Sequence, residues 1–260
     1  MESVLAIGEA LSRHIDVPVF ALILARLLPI VALTPLFGGS TSPRRFRFAA
    51  ALALTAVLYP VVAPQWTALE RPSNLGLALL REALLGLSIG VVVAAAFDLF
   101  ASIGGLIDLA RGATFANVVD PITRNQASVL EPFLRVALLV VFTSTGLHRQ
   151  FIAALCAGFT KLPPSSELGF RAQPQAVLEV VQSLSVLSVQ LALPILIGML
   201  VLDLSLALIH RAAGRIEVYF LGLTLKSSLG LLLLLLLVTV MLDLWVRHAL
   251  PYVIVFGGGS

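Results

Sequence analysis

The feature that most constrains this chain is a series of long, nearly uncharged apolar runs. The richest in leucine, from Leu229 to Leu242, reads LGLLLLLLLVTVML. Several other windows approach the ~20 apolar residues with which a helix crosses a bilayer. Only 12% of the 260 residues are charged, which is about half the fraction usual in soluble domains. We therefore expect an all-α membrane protein.

Six apolar segments follow one another, at residues 17–37, 48–69, 83–97, 136–159, 180–209 and 218–246. Their connectors carry the glycine, proline and charged residues typical of turns. The longest polar connector lies at 160–175, and it divides the chain into two predicted regions. Residues 1–165 form kinked helical hairpins, and residues 166–256 form a two-helix hairpin. The remaining residues, 257–260, are interpreted as an artificial linker, and no cleavable signal peptide is expected.

Ionisable side chains interrupt these apolar segments. Arg26 lies in the first, Asp98 is predicted to end the third, and His148 with Arg149 is predicted to split the fourth. A charge that faces lipid at the bilayer centre costs at least ~2.5 kcal/mol. We expect such residues to face protein or a wet cavity, and we interpret Arg26 as a buried interface partner rather than a substrate contact. The chain is therefore expected to pack against other chains.

Two opposite charges lie at matching positions of the C-terminal hairpin. Asp203 lies eleven residues before Gly214, and Lys226 lies eleven residues after Arg215. In an antiparallel hairpin both reach a depth of roughly 17 Å from the turn, at ~1.5 Å per residue. We predict that the two side chains compensate each other across the hairpin. A bond from each to a neighbouring subunit is the alternative.

The sequence lacks the motifs of common enzymes. It contains no G-x-x-x-x-G-K-[ST] phosphate-binding loop, no H-E-x-x-H zinc motif and no G-x-S-x-G nucleophile elbow. The single cysteine excludes an internal disulfide, and the formal charge of +3 is too small and scattered to indicate nucleic-acid binding. We expect a protein that is not an enzyme and has no metal, no cofactor and no nucleic-acid partner.

The richest mixture of charge and flexible backbone lies between two apolar segments, at residues 104–126, which read GGLIDLARGATFANVVDPITRNQ. Asp108 and Arg111 are spaced to pair along one helical turn. Gly112 can then end that helix, and Asp120 with Pro121 forms a good start for the next. We predict a loop that is pinned at both ends and presents one aromatic side chain, Phe115. An ordinary loop outside the membrane, with a buried phenylalanine, is the alternative.

Smaller signals predict helix contacts rather than chemistry. Gly86 and Gly90 form a G-x-x-x-G pattern that allows close helix approach. A basic turn contains Arg44, Arg45 and Arg47. These arginines face partner acids or anionic lipid, or they simply mark a cytoplasmic turn.

Four stretches together resemble the SctT/FliR family of type III secretion export-gate subunits. The resemblance covers roughly residues 20 to 240, and Lys226–Ser227 favours the injectisome branch, SctT, over the flagellar branch, FliR. Gly214 stands where relatives often carry proline. The four stretches, in chain order, are ARLLPIVALTPLFGGSTSPRRFRFAAALALTAVLYP, GGLIDLARGATFANVVDPITRNQASVL, FTSTGLHRQFIAALCAGFTKLP and LPILIGMLVLDLSLALIHRAAGRIEVYFLGLTLKSSLGLLLL.

The resemblance implies a single-copy subunit of a hetero-oligomeric helical export gate in the bacterial inner membrane. The implied partners are SctR-like and SctS-like subunits (FliP- and FliQ-like in flagella), a larger platform protein, membrane lipid and secreted protein substrates. The assembled gate would project to the periplasmic side. The loop at 104–126 corresponds to a pore plug, whose implied tip and anchors are Gly104, Gly105, Phe115, Asp120 and Pro121.

Two other functions are compatible with so apolar a chain. A proton-coupled secondary transporter would cycle protons on Asp98, Asp203 or Asp243. Such transporters are usually built from two comparable halves with broken helices at matching positions, whereas this chain joins a longer irregular part to a simple hairpin. A structural scaffold for other membrane proteins is the third function considered.

Overall fold

The computed structural model describes residues 16–37, 42–66, 74–113, 128–162, 173–213 and 217–257. Within these ranges every regular element is helical. The α-helices are α1 Val17–Leu33, α2 Arg44–Trp66, α3 Leu75–Ala110, α4 Leu130–Ser144, α5 Leu147–Lys161, α6 Gln173–Ala213 and α7 Glu217–Gly257, with a 3-10 turn at Pro35–Phe37.

Four of these helices, α2, α3, α6 and α7, are long and apolar enough to cross a membrane. Helices α4 and α5 together would supply a fifth span, but they bend by 74° where they meet. The bend centres on Gly146, whose φ of 76° lies in the left-handed region that glycine adopts at little cost. It therefore lies just before His148 and Arg149, where the sequence predicted a split. The prediction of an all-α membrane protein is confirmed.

Two predicted helix boundaries were wrong. Asp98 does not end the third helix, because its carboxylate is exposed and pairs with Arg135 at 3.2 Å, so α3 continues to Ala110. The predicted loop at 104–126 therefore begins as helix, with Gly104 and Gly105 inside α3. The arginines assigned to a basic turn were also misplaced, since α2 already begins at Arg44.

The chain divides into two compact units that are discontinuous in sequence. The first contains residues 1–95, 146–180 and 251–260, and the second contains residues 96–145 and 181–250. They differ from the predicted linear division at residue 165 because the long helices α3, α6 and α7 each contribute to both units.

In the first unit, α1 lies antiparallel to α2. The rings of Phe20 and Tyr59 are 5.9 Å apart near one end, and Arg47 donates to the carbonyl of Ala32 at 3.2 Å near the other. Helix α1 also crosses α3 at the predicted glycine pair. A Cβ added at Gly86 would collide with the backbone carbonyl of Arg26, and one added at Gly90 would lie 3.1 Å from that of Pro29. The predicted close helix approach is confirmed.

In the second unit, aromatic pairs join α3 to α4 and α7. The rings of Phe97 and Phe142 are 5.6 Å apart, and those of Phe100 and Trp245 are 5.3 Å apart. All four side chains are buried. This core holds in place the C-terminal part of α3, which carries Asp108 and Arg111.

Candidate functional site

The C-terminal end of α3 is a capped helix end built around glycine. Gly112 has a φ of 76°. Its amide donates to the carbonyl of Leu109 at 3.1 Å, and the amide of Ala113 donates to that of Asp108 at 3.0 Å. This pair of bonds is the Schellman motif, which satisfies the last carbonyls of a helix. Gly112 thus ends α3 as its sequence position predicted.

Asp108 joins this helix end to the start of α4. Its Oδ1 accepts from Nε of Arg111 at 2.7 Å, and the Arg111 NH2 group lies 2.7 Å from the same oxygen. Its Oδ2 accepts from the Ser128 hydroxyl at 2.5 Å and from the backbone amide of Leu130 at 2.9 Å. The carboxylate is 1% exposed. A negative charge is well placed here, because the unpaired amides of a helix N-terminus carry positive charge.

Gly104 allows this junction to form. A Cβ at Gly104 would lie 2.5 Å from the carbonyl carbon of Leu130 and 2.6 Å from the amide nitrogen of Glu131. Contacts this short cannot be relieved by a side-chain rotation, because both neighbours are backbone atoms. A Cβ at Gly105 would lie 3.5 Å from Oε2 of Glu131, which is an ordinary contact. Of the two adjacent glycines, the helix contact therefore requires Gly104.

The other predicted plug residues lie outside the described part of the chain. Phe115, Asp120 and Pro121 fall within 114–127, for which the structure gives no placement. The described part of the chain ends at Ala113 on one side and resumes at Ser128 on the other. Asp108 bonds to residues on both sides of this interval. The sequence did not indicate Ser128, because its hydrogen bond to Asp108 forms only when α4 packs against the end of α3.

Arg26 lies in a buried cluster inside the first unit. Its Nε donates to Oε2 of Glu82 at 2.5 Å, and its other nitrogens donate to the carbonyls of Gly158 at 3.2 Å and Leu162 at 2.7 Å. The guanidinium also lies 4.5 Å from the ring centroid of Phe159. Arg26 is 2% exposed and Glu82 is 0% exposed. Arg26 therefore forms a buried charge pair within its own chain, and its contact with a neighbouring subunit stays a prediction.

Glu82 was missed by the sequence analysis. A signal was present, because Glu82 and Arg81 are the charged residues of the apolar stretch LALLREALLGLSIG. A charge in such a stretch requires a partner. Matching it to Arg26 would have required knowing that α1 crosses α3 at Gly86, one turn from Glu82.

Asp203 and Lys226 form a salt bridge between α6 and α7. The structure thus brings together the two side chains that matching depths in the hairpin had paired. They are less buried than expected, at 41% and 24% exposed in the single chain. They line a cavity of about 350 Å³ whose wall also contains Leu206, Leu223 and His210.

The other carboxylates considered for proton cycling are also paired. Oδ1 of Asp98 lies 3.2 Å from the NH2 nitrogen of Arg135, and the same nitrogen lies 3.3 Å from Oε1 of Glu131. Asp243 lies 2.9 Å from Arg247, one helical turn away. Across the described ranges, no group of His, Cys, Asp and Glu side chains is arranged to hold a metal ion.

The predicted basic residues lie on the first turn of α2. Arg44 and Arg45 are exposed, and they form no ion pair with any described residue. Arg47 is half-buried because it reaches back to the carbonyl of Ala32. Phe46 and Phe48, on the same turns, are also exposed.

Comparison with known proteins places these features in a family. Residues 17–250 match the family described as Bacterial export proteins, family 1. The chain belongs to this family. A FliR flagellar biosynthetic protein, from Caulobacter vibrioides, is 32% identical over 230 residues, which cover 87% of this chain and 90% of that protein. The resemblance to the SctT/FliR family is thereby confirmed.

Relatives of this export protein occur in both branches of the family. The secretion system apparatus protein SsaT of Salmonella typhimurium is 30% identical over 218 residues, covering 81% of this chain and 83% of that protein. The Yop proteins translocation protein T of Yersinia pestis is 30% identical over 184 residues, covering 70% of each chain. Identities of 30–32% in both branches do not separate the flagellar from the injectisome type.

Proposed function

We propose that this multi-pass membrane protein is a single-copy subunit of a type III protein export gate in the bacterial inner membrane. It forms part of the pore through which unfolded substrate proteins pass, and it makes no covalent change to them. The family match over residues 17–250 carries the proposal. Its partners in the gate are SctR-like and SctS-like subunits, or their FliP- and FliQ-like counterparts, together with a larger platform protein.

The C-terminal hairpin supports a hetero-oligomeric role. Large apolar side chains are exposed along α6, among them Leu193, Ile197, Leu200 and Leu204. The Asp203–Lys226 salt bridge lies on the same helices and is partly exposed. An ion pair in contact with lipid is costly, whereas a neighbouring subunit can cover it and supply further hydrogen bonds from polar groups.

The stretch at residues 104–126 contains the plug of this pore, with Phe115 at the tip, Asp120 and Pro121 in the plug or its anchors, and Gly104 and Gly105 of α3 in the anchor. The buried hydrogen bonds of Asp108 support this assignment, because they tie both flanks of 114–127 to one carboxylate. A hydrophobic constriction excludes water and thereby blocks ions. We assign the chain to the injectisome branch because of Lys226–Ser227.

A secondary transporter is the less favoured function. Each of the three carboxylates considered for that role, Asp98, Asp203 and Asp243, pairs with a lysine or arginine.

The mass of the particle extracted from the membrane tests the gate proposal. The chain is expressed with its neighbouring secretion proteins, extracted in mild detergent and measured by native mass spectrometry. A gate subunit appears once per complex, beside several copies of two smaller apolar proteins. A monomer or a symmetric dimer that moves a small solute would overturn the proposal. Restoration of secretion in a strain lacking SsaT, or of motility in a strain lacking FliR, assigns the branch.

A further inference from the structure

The hydrogen bonds of Asp108 form a closed set that draws donors from both sides of residues 114–127. Arg111 precedes this interval, whereas Ser128 and Leu130 follow it. Ser128 extends the set, because its hydroxyl accepts from the backbone amide of Glu131 at 3.0 Å. We call Asp108, Arg111 and Ser128 the clamp.

Arg111, Ser128 and the backbone amide of Leu130 all donate to the same carboxylate, that of Asp108. The backbone amide of Leu130 belongs to the first turn of α4, where an amide has no partner within its own helix. The guanidinium of Arg111 is 8% exposed at its side chain and would be a nearly unpaired buried charge without Asp108. Removing the carboxylate therefore leaves unsatisfied groups on both sides of the interval, and no single change elsewhere in the clamp does this.

The clamp also contacts the C-terminal hairpin. A Cβ added at Gly230 of α7 would lie 3.5 Å from both Cβ and Cδ of Arg111, and 3.6 Å from the sulfur of Met199 on α6. These are ordinary van der Waals distances, so the Arg111 stem lies beside α7 at Gly230 and a side chain larger than a methyl group there would reach it. A displacement of α7 toward α3 would press directly on Arg111.

From these contacts we propose that Asp108 is a positioning residue, which fixes the separation of the two flanks of residues 114–127 and links that separation to α7 through Arg111. The inference rests on the proposed function insofar as this interval belongs to the pore plug. Its structural part, the fixed separation, stands on described residues alone.

Distance measurement between spin labels tests the fixed separation. In the full chain, Cys156 is replaced by serine, and labels are attached at Leu109 and Val129, both of which are exposed. Asp108→Asn removes the negative charge and should shift this distance to larger values and broaden its distribution. Asp243→Asn is the control, because it removes an exposed carboxylate whose partner, Arg247, lies one turn away on the same helix, α7. A second label pair within α4, at Phe133 and Val140, should not change in either variant.

Milder variants keep the test decisive if Asp108→Asn fails to fold. Ser128→Ala removes one donor of the clamp, and Ser144→Ala removes a serine near the other end of α4 that bonds only to its own helix. The first should broaden the Leu109–Val129 distance distribution and the second should not. Gly230→Leu should shift the same distance, because the new side chain meets Arg111. Gly222→Leu, two turns nearer the N-terminus of α7, meets Leu206 instead and should not shift it.

Ion leak through the assembled gate separates this inference from the proposed function. Asp108→Asn should raise leak severalfold while the amount of assembled gate stays at the wild-type level. Leak without any change of the Leu109–Val129 distance would overturn the clamp and leave the plug in place. A changed distance without leak, when deletion of residues 113–118 does leak, would overturn the positioning role. No leak from that deletion would refute the plug itself, and the spin-label distances would still decide the separation.

Discussion

The guanidinium of Arg26 donates to the carboxylate of Glu82 at 2.5 Å across 56 positions of sequence. Both side chains are buried, and the carbonyls of Gly158 and Leu162 at the end of α5 accept from the other two guanidinium nitrogens of Arg26. Helices α1, α3 and α5 are therefore joined at one buried charge pair. This junction lies within a single compact unit, and Oε1 of Glu82 is buried there without a hydrogen-bond partner among the described residues.

We predict that breaking this pair on one side destabilises the protein strongly. Glu82→Leu leaves an unpaired buried arginine and should lower the free energy of unfolding by about 3–5 kcal/mol. The double variant Arg26→Met with Glu82→Leu should recover a large part of that loss, because no charge stays buried. Chemical denaturation in detergent measures both, and equal losses in the single and double variants would contradict the prediction.

The close crossing of α1 and α3 predicts that adding a single methyl group at Gly86 destabilises the protein. Gly86→Ala forces a methyl group against the backbone of Arg26 and should cost about 1–3 kcal/mol. Gly76→Ala on the same helix meets only a side-chain oxygen, at 3.4 Å, and should be neutral or slightly stabilising. Thermal unfolding of the two variants provides the comparison. A Gly86→Ala protein as stable as the wild type would show that the helices separate at little cost.

The Asp203–Lys226 salt bridge should matter more in the assembled gate than in the isolated chain. Both side chains are partly exposed in the single chain, where such pairs contribute roughly 0.2–1 kcal/mol. A double-mutant cycle with Asp203→Asn and Lys226→Met should give a larger coupling energy once a neighbouring subunit excludes water. The cycle is repeated on Asp243 and Arg247, an exposed pair one turn apart, as the control. Equal coupling in chain and complex would contradict the prediction.

Phe115 should determine how tightly the closed gate excludes ions. Phe115→Ala removes the large aromatic surface proposed to keep water out of the constriction, and we expect higher ion conductance with an unchanged amount of assembled gate. Electrical recording of the purified complex in a planar bilayer measures this. Phe133→Ala, at an exposed position on α4, is the control and should leave conductance unchanged. Wild-type conductance in the Phe115 variant would contradict a role for this side chain in closing the pore.

The sequence predicted those contacts that depend on counting along a helix. Asp203 and Lys226 met because equal distances from a hairpin turn give equal depths, and Gly86 with Gly90 marked a close approach because their spacing places both on one helix face. Gly112 ended α3 because few other residues adopt its backbone conformation at low cost. In each case the outcome depends on residues that are close in sequence or related by a single hairpin turn.

Contacts between distant segments were not predictable in the same way. The apolar pattern shows that Glu82 must be paired, but it does not say which of the arginines is nearby. Asp98 was taken as a helix end because a lone charge is costly in an apolar segment, and its pairing with Arg135 of α4 removed that cost. Ser128 bonds to Asp108 across twenty positions of sequence, and this contact depends on the packing of the start of α4 against Gly104. Such pairings follow from tertiary packing.

The uneven covering of the long helices bears on how the protein is made. Half of the apolar window of α3 is buried within the chain, against 17% for α6 and 22% for α7. A newly synthesised copy thus buries half of the α3 window by itself but leaves most of the α6 and α7 windows uncovered. Until partner subunits or lipid cover them, these helices expose apolar surface that can bind other membrane proteins during their insertion. We therefore expect surplus copies to be degraded, so that the cellular level of the protein follows that of its companions.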